Sequence, residues 1–440
     1  MKILVVTVGG SHQPIVTAIN SIKPDRVVFI CSDGPKGSIS QVIGNGKPCK
    51  IIEKGVIKEE LPNIPILTGL GDRFDKEKDI LLIEPDDLYE CYSKIRKGLD
   101  DLKSENPDAS YLADYTGGTK TMTAAFVLAA LDLNIELFLT TGQRENIIKV
   151  ERGESTEKIS LSQITMERTM SVFFPELIDY YDYGTAALRI QNLLSSLELP
   201  KAQKKSLRAL LNCCQSFDLW DRFEHRGALE LIAPLLGCKM LLSSGLFLKR
   251  IISSRAILDE SYDRSGCIQG HGFEVVEDLV LNSERRARQN RYDDALGRLY
   301  RAMELLGQIK LKKDYNILTG SINPDSLPPE ILEKSRPRID DKGILKFGLA
   351  DSYELLMAFN DPIGTIYKER KSLILNSLNI RNKSLFAHGF TPISGKEYEE
   401  MGGVFISFIN DAIRSVIGKN QCKPAVQFPR KLELNLFSAS

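Results

Sequence analysis

An α/β domain followed by an all-α domain is what this sequence predicts, and three observations predict it. Through residue 150, short β-branched apolar runs alternate with helical patterns, the signature of a mostly parallel sheet whose strands are joined by crossover helices. Beyond Ser171 the strand signals fade, and long segments carry apolar residues at three-to-four-residue spacing. The length, 440 residues, exceeds what one ordinary core fills, so two domains are expected, each burying an interior of its own.

In the first domain, expected at residues 1–155, the strands read as 3–8, 27–31, 80–83, 111–115 and 135–140, with 147–150 as a further candidate. Helical candidates lie between them, and the arrangement is Rossmann-like. The polar stretch 151–162 reads as the connection. The second domain, expected at residues 171–440, reads as helical over 186–197, 205–214, 273–287, 292–309, 352–359, 366–386 and 397–417. Residues 324–337 are rich in proline and read as an irregular excursion. The sequence shows no repeat of fixed period.

The 42% hydrophobic and 26% charged residues are ordinary for a folded globular chain. The 58 basic and 58 acidic residues cancel, so bulk charge supplies no attraction to nucleic acid or an acidic membrane, and any such contact has to be local. Eight cysteines, Cys31, Cys49, Cys91, Cys213, Cys214, Cys238, Cys267 and Cys422, form no CxxC pair and lack histidines at ligand spacing. They read as reduced thiols, with no metal site. The chain opens on a strand-like run without a cleavable leader pattern, and Asp132, Glu136 and Lys249 interrupt its longest apolar stretches before bilayer length. A cytoplasmic protein without membrane contact is the expectation.

Two glycine turns each follow an expected strand and open an expected helix. They are Thr7-Val8-Gly9-Gly10-Ser11-His12 and Asp114-Tyr115-Thr116-Gly117-Gly118-Thr119-Lys120-Thr121-Met122. Strand carboxyl ends are where open α/β sheets bind ligands, and glycine there lets a phosphate approach backbone N–H groups at a helix start. Thr116, Thr119 and Lys120 can add hydroxyl and cationic contacts. Neither turn has P-loop spacing or a third dinucleotide glycine, which argues against ATP hydrolysis and NAD binding. Either can equally be a tight turn between strand and helix and nothing more. His12 reads as a helix-start residue near phosphate. Arg144, after Thr141-Gly142-Gln143, reads as a ligand contact or as a solvated side chain ending a turn.

The turn from Asp114 to Met122 resembles the fourth-strand signature of CRISPR-associated Rossmann fold, or CARF, domains. That resemblance implies a pocket for cyclic oligoadenylate made by a type III interference complex, lined by such turns from two copies paired about a two-fold axis. Carried onto this chain, the ligand-binding residues are Gly9, Gly10 and Ser11 from the first turn and Thr116, Gly117, Gly118, Thr119 and Lys120 from the second. The resemblance implies an allosteric activator and no required cofactor; in some relatives the pocket also cleaves that activator.

In the helical half the sharpest feature is Arg381-Asn382-Lys383-Ser384-Leu385-Phe386-Ala387-His388-Gly389. Arg381 and His388 are seven positions apart, about two turns at roughly 3.6 residues per turn, so a continuous helix puts them on one face with Gly389 as its end. Metal-free RNA cleavage needs a group to move protons at the 2'-hydroxyl or the leaving 5'-oxygen, and a fixed cation for the charge gathering on phosphate. His388 and Arg381 are of the right types. The same pair also suits a capped surface helix without chemistry.

Arg381-Asn382 followed by His388-Gly389, near the end of a helical domain, resembles the Arg-Asn-to-His signature of HEPN ribonucleases. It implies a homodimer facing two Arg-His pairs across one cleft, a single-stranded RNA substrate, and products with a 2',3'-cyclic phosphate and a 5'-hydroxyl. The catalytic residues carried over are Arg381, Asn382 and His388, with Asn382 holding His388 or the phosphate. Lys368, Arg370, Lys371 and Lys383 make the stretch locally basic, which suits an RNA backbone or simply a solvated helix face.

Two other polar groups read as packing features. His225 with Asp221 and Glu224 is too small a set for a metal site, and Arg298, Arg301 and Glu304 read as ion pairs that organise the domain. Together the resemblances imply a cyclic oligoadenylate-activated, metal-independent endoribonuclease of type III CRISPR antiviral defence. Two alternatives stand beside it. One is a CARF regulator whose helical domain only dimerises; the other is a CARF-coupled DNA nuclease, which requires acidic residues clustered around a divalent metal.

Overall fold

The computed structural model describes residues 1–34, 37–43, 49–53, 56–61, 63–143, 152–159, 162–382, 384, 389–417 and 423–434. The chain divides into two compact units, Met1–Met166 and Glu167–Ser440.

The first unit contains strands β1 (Lys2–Thr7), β2 (Arg26–Ser32), β3 (Cys49–Glu53), β4 (Val56–Leu61), β5 (Ile80–Ile83), β6 (Ser110–Asp114), β7 (Glu136–Gln143) and β8 (Arg152–Ile159). Its helices are α1 (Gln13–Ile22), α2 (Ser40–Ile43), α3 (Ile64–Leu67), α4 (Leu88–Glu105) and α5 (Lys120–Asp132). Six strands form one sheet in the order β5-β2-β1-β6-β7-β8, and β3 with β4 forms a separate antiparallel hairpin. All neighbours in the large sheet are parallel except β7 and β8.

Side chains alternate across a strand, and here both faces are covered. Ile3 and Val5 of β1 enter the layer formed by α4 and α5, with Ile95, Leu99, Phe126 and Ala129. Leu4 and Val6 enter the opposite layer, with Ile15 and Ile19 of α1 and Ile64 of α3. That double burial is why β1 and β2 read as continuous apolar runs rather than as alternating ones.

The expected connection at 151–162 holds β8 instead, and the first unit accordingly runs to Met166, beyond the expected end at 155. The segment is charged, as edge strands commonly are, so it lacks the apolar pattern by which the inner strands declare themselves. The candidate strand at 147–150 and Arg144 lie outside the described residues.

The second unit is helical, with its longer helices at Tyr183–Ser196, Lys201–Asp221, Lys239–Arg255, Glu274–Arg288, Tyr292–Tyr315, Pro362–Asn382 and Gly395–Val416. Lys239–Arg255 is not among the expected helices: Ser244, Arg250, Ser253 and Ser254 are buried beside Leu241, Phe247, Leu248 and Ile251, so apolar residues alone do not mark its inner side. The proline-rich excursion contains a short helix, Pro329–Ser335, that begins with proline at its first position, where the missing N–H costs nothing.

Two aromatic clusters hold this unit. Phe428 packs 4.8 Å from Phe217 and 5.0 Å from Trp220, ring centre to ring centre, which ties the carboxy-terminal segment to Lys201–Asp221. Tyr353 of the helix Leu349–Ala358 stacks 4.6 Å from Tyr367 and meets Phe408 edge-on at 5.4 Å. Its hydroxyl donates to the Met303 carbonyl at 2.8 Å, satisfying a group buried with the rings. The helix Pro362–Asn382, which carries Arg381, is therefore anchored at Tyr367 against Leu349–Ala358 and Gly395–Val416.

Candidate functional site

β1 and β6 lie side by side at the centre of the sheet, yet the helices that follow them pack on opposite faces, α1 on one and α5 on the other. This divergence is the topological switch point at which an open α/β sheet leaves a crevice beyond its strand carboxyl ends. Both glycine turns meet there. A Cβ on Gly9 would lie 2.5 Å from the Gly118 nitrogen, and one on Gly117 would overlap the Thr7 carbonyl oxygen. Gly118 has φ +88°, in the region open to glycine. The Thr7 hydroxyl donates to the Gly117 carbonyl at 2.7 Å, and the Gln41 amide donates to the Gly9 carbonyl at 2.7 Å.

The residues expected to line a ligand pocket are thus brought to one sheet edge. Gly9, Thr116, Gly117 and Gly118 are half-buried; Gly10, Ser11, Thr119 and Lys120 are exposed. Two of the hydroxyls already have partners within the chain. Thr116 accepts the Thr140 N–H at 2.7 Å; Thr119 donates to the Pro85 carbonyl at 2.8 Å and caps α5 by accepting the Met122 N–H at 3.2 Å. Both hydroxyls hold the turn together. His12 is buried, and its carbonyl accepts the N–H groups of Ile15 and Val16 at the start of α1.

Asp114, at the end of β6, has a role the sequence did not reveal. Its buried carboxylate accepts the Thr116 N–H at 3.0 Å and the Thr140 hydroxyl at 3.1 Å. Burial pushes its pKa above the usual carboxylate range, partly offset by these hydrogen bonds. The residue stands in the motif itself, but its partner Thr140 comes from the neighbouring strand. Gln41 carries no local signal at all.

In the second unit the helix Pro362–Asn382 stops inside the Arg-to-His motif. The Ser384 N–H donates to the Arg381 carbonyl at 2.9 Å, the Gly389 N–H donates to the Ser384 carbonyl at 3.2 Å, and Ser384 forms an isolated bridge with Thr391. The described helix thus ends at Asn382, before His388 is reached. Asn382 and Ser384 are residues whose short polar side chains favour such exits. His388 and Lys383 lie outside the described residues.

Arg381 is half-buried, with its guanidinium carbon 4.2 Å from the centre of the Tyr300 ring and Nη1 3.4 Å from Asn382 Oδ1. A ring beneath a guanidinium orients it without neutralising it, which suits a cation kept for phosphate. Tyr300 lies on the expected helix at 292–309, but nothing local marks it as the partner of a residue some eighty positions away. The basic stretch beside the motif is partly spent within the chain. Arg370 pairs with Asp411 at 2.5 Å and Lys371 with Glu354 at 3.1 Å, whereas Lys368 is exposed.

His225 is fully buried, with Nε2 3.2 Å from Asp278 Oδ2, and Asp221 is taken by Arg285 and Arg286. Among the described residues, no group of three or more His, Cys, Asp or Glu could hold a metal ion, and no helix is long and apolar enough to cross a membrane.

Residues 264–411, which include the whole Arg381-to-His388 segment, match the family model of the Csm6 HEPN domain. No curated protein matches the chain by sequence. Among solved structures the chain is similar to Enterococcus italicus Csm6 bound to cyclic hexa-2'-fluoro-hexa-dAMP, with a TM-score of 0.53 and 14% identity, covering 96% of this chain and 96% of that one. At that identity the likeness concerns the fold, and it extends over both units. The chain thus has a two-part fold similar to that of Csm6, and its second unit carries the match to the Csm6 HEPN domain.

Proposed function

We propose that this protein is an endoribonuclease switched on by cyclic oligoadenylate, working as a cytoplasmic homodimer in type III CRISPR antiviral defence. The observation that carries this reading is the family match over residues 264–411, since that span holds Arg381, Asn382 and His388. In the proposed reaction the RNA 2'-oxygen attacks the adjacent phosphorus and the bond to the 5'-oxygen breaks. The products end in a 2',3'-cyclic phosphate and a 5'-hydroxyl. His388 takes the proton from the 2'-hydroxyl or delivers one to the departing 5'-oxygen; Arg381 stabilises the charge on the non-bridging oxygens, and Asn382 positions one or the other. The nucleophile belongs to the substrate, so the reaction requires no metal-activated water. The stack of Arg381 on Tyr300 supports the role given to the cation.

The crevice between the two glycine turns is the proposed activator site, with Gly9, Gly10, Ser11 and Thr116 to Lys120 around phosphates near the starts of α1 and α5. The ligand named with the similar Csm6 structure supports cyclic oligoadenylate as the class. Activation then requires tighter binding to the active arrangement of the dimer than to the inactive one. The test is purified protein with labelled single-stranded RNA, in EDTA, with each cyclic oligoadenylate in turn. Cleavage is expected with one ring size, and a 2'-deoxy substitution at the scissile position should block it. No cleavage under any activator would overturn the reading, and cleavage abolished by EDTA would move it to a metal-dependent nuclease.

A further inference from the structure

Two adjoining clefts in the second unit meet at Arg298. One, of about 600 Å³, is lined by Tyr181, Asp221, Arg286, Arg291 and Arg298 among others; the second, of about 380 Å³, by Phe223, Arg255, Arg298 and Arg301 over an apolar floor. The sequence predicts an ion pair for Arg298, and the structure corrects this. Arg301 pairs with Glu304 at 3.2 Å, Arg222 with Asp218 at 3.0 Å, Arg286 with Asp221 and Arg291 with Asp294. Arg298 makes neither an ion pair nor a hydrogen bond with any described residue. Its close neighbour is a ring, that of Phe223, 5.6 Å from the guanidinium carbon.

Three further features set this place apart from an ordinary charged surface. The Nε of Arg286 is buried without a hydrogen-bond partner among the described residues, so a donor beside the cleft is unused. Burial lowers the pKa of Arg298, and that of Arg286 to about 10; Asp294 partly offsets this at both, while the nearby Arg291 adds to it. Finally, Phe223 and Tyr181 hold φ +67° and +57°, left-handed positions after helix ends that glycine or asparagine would fill at less cost. The strain sets an aromatic side chain in the lining of each cleft. An arginine serving only to cap helix carbonyls would donate to one of them, and among the described residues Arg298 donates to none.

We propose that Arg298 and Phe223 form a phosphate-and-base subsite, in which the guanidinium takes a phosphate oxyanion and the ring takes the face of a base. It is built from residues other than the Arg381-to-His388 pair. The phosphate can belong to a single-stranded RNA or to a free nucleotide; as an RNA subsite it rests on the ribonuclease reading above.

The test uses the full-length protein with two probes, a 2'-O-methyl decaribonucleotide, which cannot be cut through its own 2'-oxygen, and adenosine 5'-monophosphate. Affinities are measured against salt for wild type, Arg298→Ala and Arg298→Lys, together with melting without ligand. Arg298→Ala should weaken binding about tenfold, as loss of one charge-assisted contact does. For the oligonucleotide the slope of log affinity against log salt should fall by about 0.7. Arg298→Lys should restore most of the slope, and Arg298→Ala should melt close to wild type, since it breaks no ion pair with a described residue. A loss confined to adenosine monophosphate assigns the subsite to a free nucleotide, and a loss with the oligonucleotide assigns it to RNA. The proposal is overturned if wild type binds neither probe, or if Arg298→Ala leaves both affinities unchanged. RNA cleavage is scored separately: a wild type that cuts no RNA but needs Arg298 to bind a probe sinks the ribonuclease reading alone.

Discussion

Replacing Gly117 with alanine sets a methyl group against the Thr7 carbonyl oxygen and 3.1 Å from the Gly9 nitrogen. Neither neighbour is the flexible end of a side chain; both are backbone atoms of the first turn, so relief requires the two turns to separate. Separation also strains the 2.7 Å hydrogen bond from the Thr7 hydroxyl to Gly117. Overpacking of this kind costs about 1–3 kcal/mol. A loss of roughly 2 kcal/mol lowers the melting midpoint of a domain of this size by about 4–8 °C. Gly10 is the control, because a Cβ there meets nothing within 4 Å. Gly10→Ala should melt within about 1–2 °C of wild type, as surface changes do. Gly10→Trp should also fold, yet abolish activator binding by filling the exposed side of the crevice. Scanning calorimetry gives the first comparison, and titration with cyclic oligoadenylate the second. Wild-type melting in Gly117→Ala would refute the packing argument, and wild-type activator affinity in Gly10→Trp would refute the location of the site.

Lys120→Ala should weaken activator binding in a salt-dependent manner, since the exposed ammonium acts through screened charge; an equal defect at low and high salt would count against it. Asp114→Asn tests the buried carboxyl. Its folded pKa is raised, so the protonated form is the one the fold prefers, and that contribution is lost as pH rises through the raised value. The variant, which cannot ionise, should therefore gain stability relative to wild type as pH climbs from about 3 to 7; the opposite trend in melting midpoints would show that the hydrogen bonds outweigh burial. His388→Ala and Arg381→Ala should each lower RNA cleavage by about 10²- to 10⁴-fold, with folding and activator binding preserved. Full cleavage by a folded His388→Ala protein removes that residue from the chemistry.

What could be read from the sequence divides along physical lines. β1, β2 and β6 were legible because both faces of their strands are buried and the apolar runs say so, and the glycine turns were legible because each interrupts such a run at a helix start. The segments of the β3–β4 hairpin and of the edge strand β8 carry charged residues where the inner strands carry apolar runs, and polar strands resemble connections. At the sites the limit was one of distance along the chain. Gly117 stands out locally, but its contact with Thr7 joins residues 110 positions apart. The Arg381 motif was visible, but the helix break after Asn382 was not, because the apolar spacing of 366–386 continues through it. Arg298 reads as an ion-pair partner from its place beside Arg301 and Glu304 on one helix, and only the fold shows which arginines find carboxylates.

The exact balance of 58 basic and 58 acidic residues acquires meaning from those pairings. Arg285 is fully buried, bonded to Asp221 at 2.8 Å and Gln427 at 2.8 Å, with its guanidinium 3.8 Å from the centre of the Phe428 ring. Asp179 receives both Arg288 and Arg430, each at 2.5 Å, and Lys310 reaches Asp361 at 3.1 Å. Networks of this kind fix how helices meet, with little net gain over apolar packing, because each ion gives up its hydration. They also withdraw cations from any encounter with RNA, which is why net charge is a poor guide to phosphate binding in this fold. Arg381 and Arg298 are different, since each is backed by a ring, Tyr300 or Phe223, and neither forms an ion pair with a described carboxylate. An aromatic face restricts the orientation of a guanidinium while leaving its charge available. A phosphate entering either place meets a cation already oriented and not yet neutralised, so the chain can be neutral as a whole and still offer positive charge at the two positions where the proposed chemistry and binding require it.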